Sequence, residues 1–314
     1  MDDRGLSAVL IWMVTALSVV SFVAGFTIQV DPFGYFGTNS VGYYFSSERQ
    51  FKRNLVKTRS YNAIVLGDSR IAYTDTSAVK HPKYVFVNGG IGGSDLAEQV
   101  ALLKSSQLER LELAILGLQY ADLNGCADTE LTSSFWDALR FSASWTQLLY
   151  AIEAVQARAR GDSPSYRADG TRSATSKRFA EAMVDSKTNR YRQKVEEHRK
   201  APGTRLQLHD RCRALLADAK RMADKHGFDL VVVFLPRNSD LFTVVDRNNI
   251  ARRGQIYALV SELKGITPNV VDLTESRLGE SSNFWSDDPI HFRPEIGAEI
   301  IETAIQQSIN LHDE

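Results

Sequence analysis

Gly67-Asp68-Ser69-Arg70 stands directly after the apolar run Ala63-Ile64-Val65-Leu66. A serine on a turn between a buried strand and a helix exposes its hydroxyl. Its backbone N–H then lies where developing negative charge is stabilised. The ordinary alternative is that Asp68 or Ser69 is only a helix N-cap, and alone the tripeptide is a weak signal. Far along the chain, Asp288-Pro289-Ile290-His291 puts a carboxylate three residues before an imidazole. A histidine that accepts a serine proton needs its second ring nitrogen held by such a carboxylate, which fixes the tautomer and stabilises imidazolium. One tight turn can supply both groups. Asp287 is one residue off that spacing, and His81, His198, His209, His226 and His312 lack comparable company. A third group is Asn88-Gly89-Gly90-Ile91-Gly92-Gly93-Ser94-Asp95. Its glycines let backbone N–H groups approach a substrate oxygen with no side chain in the way. Part of it resembles a dinucleotide loop, but the spacing and the acidic residue after the next strand are wrong for one. A simple loop is the remaining alternative.

The surrounding pattern supplies elements to position these groups. Ala63–Leu66, Tyr84–Val87, Leu113–Leu116, Leu230–Leu235 and Val270–Leu273 are short continuous apolar runs. Helical stretches lie between them, at Ala97–Leu108 and Arg211–His226, and Pro294 opens a last one through Ile305. Continuous apolar strands alternating with helices predict a three-layer α/β/α domain with a mainly parallel five-stranded sheet. In such sheets functional groups gather beyond the carboxyl ends of the strands. Residues 128–207 break the alternation and read as a helical insertion that covers the site. The insertion begins with an amphipathic region, Phe135 to Ala157. It continues through the polar segment GDSPSYRADGTRSATS, read as a flexible or partly disordered loop, to a charged helix ending at Lys200. That charge is read as a solvated helix face.

No charged residue occurs from Gly5 to Val30. About 26 helical residues cross a bilayer core of about 30 Å with some tilt. A cleaved signal peptide would have a basic start, a shorter apolar core and a small-residue cleavage site. The start here is Asp2-Asp3-Arg4, so residues 1–30 are read as a retained single-pass anchor, 31–60 as a connector and 61–314 as the catalytic domain. Phe33, Tyr35 and Phe36 of the connector either sit at the membrane interface or tuck under the domain. Charges flanking the anchor do not fix which side the domain faces. With 37 basic and 38 acidic residues the net charge is −1, which gives no electrostatic basis for a nucleic-acid partner. Cys126 and Cys212 are either one long-range disulfide or two buried thiols.

Gly-Asp-Ser near the start, a glycine-bearing loop about two dozen residues on, and Asp-x-x-His near the end together resemble the SGNH (GDSL-type) hydrolase family. The resemblance covers Tyr61 to about Asp122 and Leu230 to about Ile305. It implies a triad of Ser69, His291 and Asp288, with oxyanion donors from the N–H groups of Ser69 and Gly93. The family's Gly-x-Asn-Asp block is here Gly117-Leu118-Gln119-Tyr120. Gln119 stands where the asparagine donates a side-chain hydrogen bond, but on a longer arm. Losing one such donor costs on the order of 3 kcal/mol in known hydrolases. With the anchor, the chain is similar to membrane-tethered members of that family in alginate acetylation and teichoic-acid D-alanylation. The likeness implies a domain facing the periplasm, or more generally the outside of the cytoplasmic membrane. It also implies acyl transfer to a polysaccharide, with the acyl group supplied by a membrane-bound acyltransferase partner.

The reaction expected is therefore O-acetylation, or another O-acylation, through an acyl-serine, and it calls for no metal or cofactor. Tyr120 and Trp285 are expected to stack on sugar rings, and Arg70 and Arg293 to contact an acidic sugar. Phe284 reads as core. An esterase with water as acceptor is one alternative. A catalytically weak glycan-binding or scaffolding subunit is another, favoured by the altered third block.

Overall fold

The computed structural model describes residues 3–45, 47–126, 144–173, 188–200, 206–241 and 250–312. The chain divides into two compact units, Met1–Arg59 with Thr132–Arg167, and Ser60–Leu131 with Ala168–Glu314.

In the first unit, α1 (Asp3–Val30) is a helix long and apolar enough to cross a membrane over Ser7–Val30. At about 1.5 Å per residue those residues reach about 36 Å. α1 ends at Asp31, whose φ of 42° lies in the left-handed region, one that aspartate tolerates better than most residues. The Asp31 carboxylate accepts N–H groups of Tyr35, Phe36 and Thr38 at 2.7, 3.0 and 3.2 Å, folding the connector back on itself. Burial raises its pKa, and those N–H groups oppose the rise. Residues 31–60 also carry a helix, α2 (Glu48–Thr58), which buries Phe51, Leu55 and Val56. Phe33 is buried and meets Tyr150 edge-on at 5.2 Å, inside this unit. A further helix of this unit, Trp145–Arg160, packs on α1 and sets Ala151 and Ala154 against Val30.

The described part of the polar segment expected to be flexible, Gly161 to Ser173, is held at Tyr166. Tyr166 is 2% exposed, stacks on Phe51 at 5.0 Å and bridges Tyr44. One buried aromatic overrides the polar composition around it. The start of the expected amphipathic region, residues 135–143, and the charged stretch before Thr188 lie outside the described residues.

The second unit holds the sheet. Its strands are β1 (Ala63–Leu66), β2 (Phe86–Asn88), β3 (Leu113–Leu118), β4 (Asp229–Phe234) and β5 (Val270–Asp272). They run parallel in the order β2-β1-β3-β4-β5. From β1 the chain moves to one side for β2 and returns to the other for β3, so a crevice opens at the carboxyl ends of β1 and β3. Alternate strand residues serve opposite faces. Val65, Ile115, Val233 and Val271 share a core with Ile300, Ile301 and Ala304 of the last helix, Pro294–His312. Leu66, Leu116 and Val232 are also fully buried and point the other way. The helices Leu96–Lys104 and Asp210–His226 pack together, the latter also on β4. The result is the three-layer α/β/α arrangement.

Two features were not legible in the pattern. Phe284–Trp285 and Asp288–Phe292 form an antiparallel two-stranded sheet, where a simple tight turn was expected. Cys126 and Cys212 form a disulfide with Cα atoms 5.5 Å apart, tying the segment after β3 to the helix before β4.

Candidate active site

Ser69 opens a four-residue helix, Ser69–Ala72, one turn past the end of β1. The N-cap is Asp68, whose side chain accepts the Arg70 N–H at 2.9 Å. Asp68 therefore takes the capping role and leaves the Ser69 hydroxyl for another partner. That partner is His291, with Nε2 2.7 Å from Ser69 Oγ. His291 Nδ1 lies 3.0 Å from Asp288 Oδ2. With Nδ1–H donating to the carboxylate, Nε2 is the acceptor for the serine proton. Asp288 is locked by the Ile290 N–H at 3.0 Å on its other oxygen. Burial works against its charge, but the His291 hydrogen bond and charge, Lys194 and the Ile290 N–H outweigh it. The carboxyl is held well below the usual range.

The glycine loop is bonded directly to the serine turn. Ile91 N–H and Ser94 Oγ both donate to Gly67 O, at 2.9 and 2.8 Å. Asn88 Nδ2 donates to Ile71 O and Thr74 O, and Asn88 Oδ1 accepts the Gly90 N–H. Gly90 has to be glycine, since a Cβ would stand 2.5 Å from Ala72 N. At Gly93 the φ of 68° imposes the same choice, while the space around it is open. Neither Ser69 nor Gly93 has an acceptor for its backbone N–H among the described residues. Both are thus available for a substrate oxygen.

Gln119 is placed differently from its expected role. Its Nε2 donates to Asp68 Oδ2 at 2.7 Å, and its backbone N–H donates to Asp122 Oδ2 at 2.7 Å. The amide on its longer arm is engaged with the carboxylate beside the serine. Arg70 also turns inward. It is 3% exposed and its Nε sits 3.3 Å from Asp68 Oδ2. Burial opposes charge on Asp68, but the Arg70 charge, its N–H and the Gln119 amide lower the pKa. Asp122 moves the other way. Burial pushes it up to about 6 against the Gln119 N–H, with help from the Asp68 charge. A cavity of about 60 Å³ beside this network is lined by Arg70, Gln119, Tyr120, Phe234, Leu235 and Arg237.

The residues expected to meet a sugar are mostly enclosed. Trp285 is fully buried, and Phe284 is core. Tyr120 is 5% exposed and its hydroxyl donates to Asp272 while accepting from Thr274. Arg293 is half-buried beside the hairpin, its N–H on Asn283 O. Ring stacking on Trp285 is therefore corrected to core packing.

The structure brings further residues to Ser69, His291 and Asp288. Helix Asn189–Lys200, from the insertion, lies along the hairpin, and Lys194 Nζ reaches Asp288 Oδ2 at 2.9 Å. Arg190 approaches Asp287 and Thr188 N–H donates to Ser286 O, so the helix clamps the triad's acid. Tyr73 meets His291 edge-on at 5.8 Å, and the Arg172 guanidinium lies 5.1 Å over the Tyr73 ring. Tyr73 follows Ser69 by four residues, a spacing that signals a shared helical face. Lys194 and Arg172 gave no signal in the sequence.

No protein-family model and no curated protein matches the chain. Among solved structures it is similar to a Streptococcus pneumonia protein provisionally described as a platelet activating factor. Identity is 12%, coverage is 83% of this chain and 90% of that one, and the TM-score is 0.42. It is also similar to a provisionally described acylhydrolase from Bacteroides fragilis. There the identity is 15%, the coverage 84% and 94%, and the TM-score 0.37. Likeness this distant carries no argument about activity.

Proposed function

We propose that this chain is a serine acyltransferase of the SGNH type, anchored in the cytoplasmic membrane, that acylates a polysaccharide hydroxyl on the outer side. The observation that carries the reading is the relay from Ser69 through His291 to Asp288, at 2.7 and 3.0 Å. His291 Nε2 takes the Ser69 proton as Oγ attacks an ester carbonyl. The N–H groups of Ser69 and Gly93 receive the oxyanion, and Asp288 holds the imidazolium. Collapse expels the donor alcohol, protonated by His291, and leaves acyl-Ser69. A sugar hydroxyl then gives its proton to His291 and takes the acyl group, which restores the serine. The Cys126–Cys212 disulfide supports an oxidising, extracytoplasmic setting, and α1 supports a single-pass anchor. A membrane-bound acyltransferase partner is the proposed source of the acyl group.

A second reading, a glycan-binding subunit with weak turnover, is favoured by Gln119, whose amide is committed to Asp68. Mass spectrometry separates the readings. The full chain is incubated with an aryl acetate and a glycan, beside Ser69→Ala. Acylated glycan from the wild type alone supports transfer, free acid alone supports an esterase, and neither product from a folded chain supports the binding subunit.

A further inference from the structure

The helix Trp145–Arg160 has two unlike faces. Gln147, Ala151, Ala154 and Ala157 are buried, the middle pair against the end of α1. On the opposite side Trp145, Leu149, Ile152 and Val155 are exposed by 71, 49, 38 and 40%. At 100° per residue those four fall within a mostly apolar sector that also holds the exposed Gln156 and does not overlap the buried one. Scattered exposed apolar residues need no explanation, but a continuous helical stripe does.

We infer that this stripe is a second membrane contact, lying in the bilayer interface beside α1. The inference rests on the reading of α1 as a membrane span. Three observations favour lipid over other occupants. The helix belongs to the same unit as α1 and packs on its last turns through its alanine face, which meets Phe26 and Val30. Earlier in α1, Val9, Leu10, Trp12, Val19 and Phe22 are exposed, so the same unit carries a second apolar surface. The helix also has the make-up of an interfacial element. Tryptophan opens its apolar face, Arg158 and Arg160 stand exposed at the far end, and 16 residues reach only about 24 Å, too short to cross.

The test uses the full chain in phosphatidylglycerol–phosphatidylethanolamine vesicles whose acyl chains carry bromine, which quenches tryptophan on contact. The chain has four tryptophans, so Trp12→Phe, Trp145→Phe and the double variant are compared. In Trp145→Phe, quenching beyond the double variant reports Trp12 and tests α1. In Trp12→Phe, it reports Trp145. The expected result is excess quenching in both single variants, with Trp145 quenched most by bromine near the headgroups. Excess quenching in Trp145→Phe alone overturns the inference while leaving the anchor intact. Loss in both removes the anchor and the inference together. A Trp145 emission that moves blue with protein-to-lipid ratio and ignores bromine assigns the stripe to a second copy, which also overturns it.

Discussion

Asp288 Oδ2 serves two donors at once, the imidazole N–H of His291 at 3.0 Å and the Lys194 ammonium at 2.9 Å. The ammonium draws on charge that would otherwise hold imidazolium. Replacing Lys194 with Met removes one of the interactions that hold the Asp288 carboxyl down, so that carboxylate is lost at higher pH. The acid limb of the fluorophosphonate-labelling profile is expected to move to higher pH, and Lys194→Arg to restore it. An unmoved profile contradicts the shared-oxygen account. Asp288→Asn keeps the shape but loses the carboxylate, and on the order of 10⁴-fold of the acylation rate should go with it. Asp122 offers a test of linkage. Its folded pKa of about 6 exceeds the unfolded value of about 4, so the folded state binds more protons between them. Stability from this group is therefore lost as pH rises from about 4 to about 6. Asp122→Asn should flatten that part of the Tm-versus-pH curve. The grouping of Ser69 with Asp288 and His291 was expected from the Asp-x-x-His spacing together with the family resemblance, and the three side chains meet. Lys194 was not legible, because a lysine in a charged helix resembles any solvated lysine until its partner is known.

The parallel strands were readable as continuous apolar runs because both faces of the sheet are covered, and only their ends shifted by a residue or two. β2, for instance, starts at Phe86 rather than Tyr84. The hairpin of Phe284–Trp285 with Asp288–Phe292 escaped notice because one of its strands is two residues long and carries no periodicity. Trp285, flanked by reactive residues, looked like a sugar platform for that reason. As a fully buried side chain, Trp285→Ala should cost about 3–5 kcal/mol of stability, measured by denaturant unfolding. The clamp helix Asn189–Lys200 depends on Tyr191, whose hydroxyl meets Asn238 Oδ1 at 3.1 Å and donates to Asp240 Oδ2 at 2.7 Å. Tyr191→Phe removes the donor to the part-buried Asp240 Oδ2, while Asn238 Oδ1 keeps the Asp240 N–H, at about 1–3 kcal/mol. Amide exchange within the helix should rise and Ser69 labelling should slow.

Over the molecule, the sequence left open whether the two cysteines pair, because composition gives no distance between them. The fold brings them together across a separation of 86 residues. Cross-linking a loop that long restricts the unfolded chain, and Cys212→Ser should lower stability by about 2–5 kcal/mol. The division into units was also hidden, since residues 132–167 join the anchor's unit rather than the sheet's. A segment's partner in space is set by long-range packing, as Tyr166 on Phe51 illustrates, and local pattern does not encode it. What these distant stretches accomplish is to bring one hydroxyl, one imidazole and one carboxylate into line. The most direct test is to treat the full chain with a fluorophosphonate and locate the adduct by peptide mass spectrometry. The account predicts a single adduct on Ser69, absent in Ser69→Ala and slowed on the order of 10³-fold or more in His291→Ala. A folded chain that takes no adduct, or takes it equally well without His291, contradicts it.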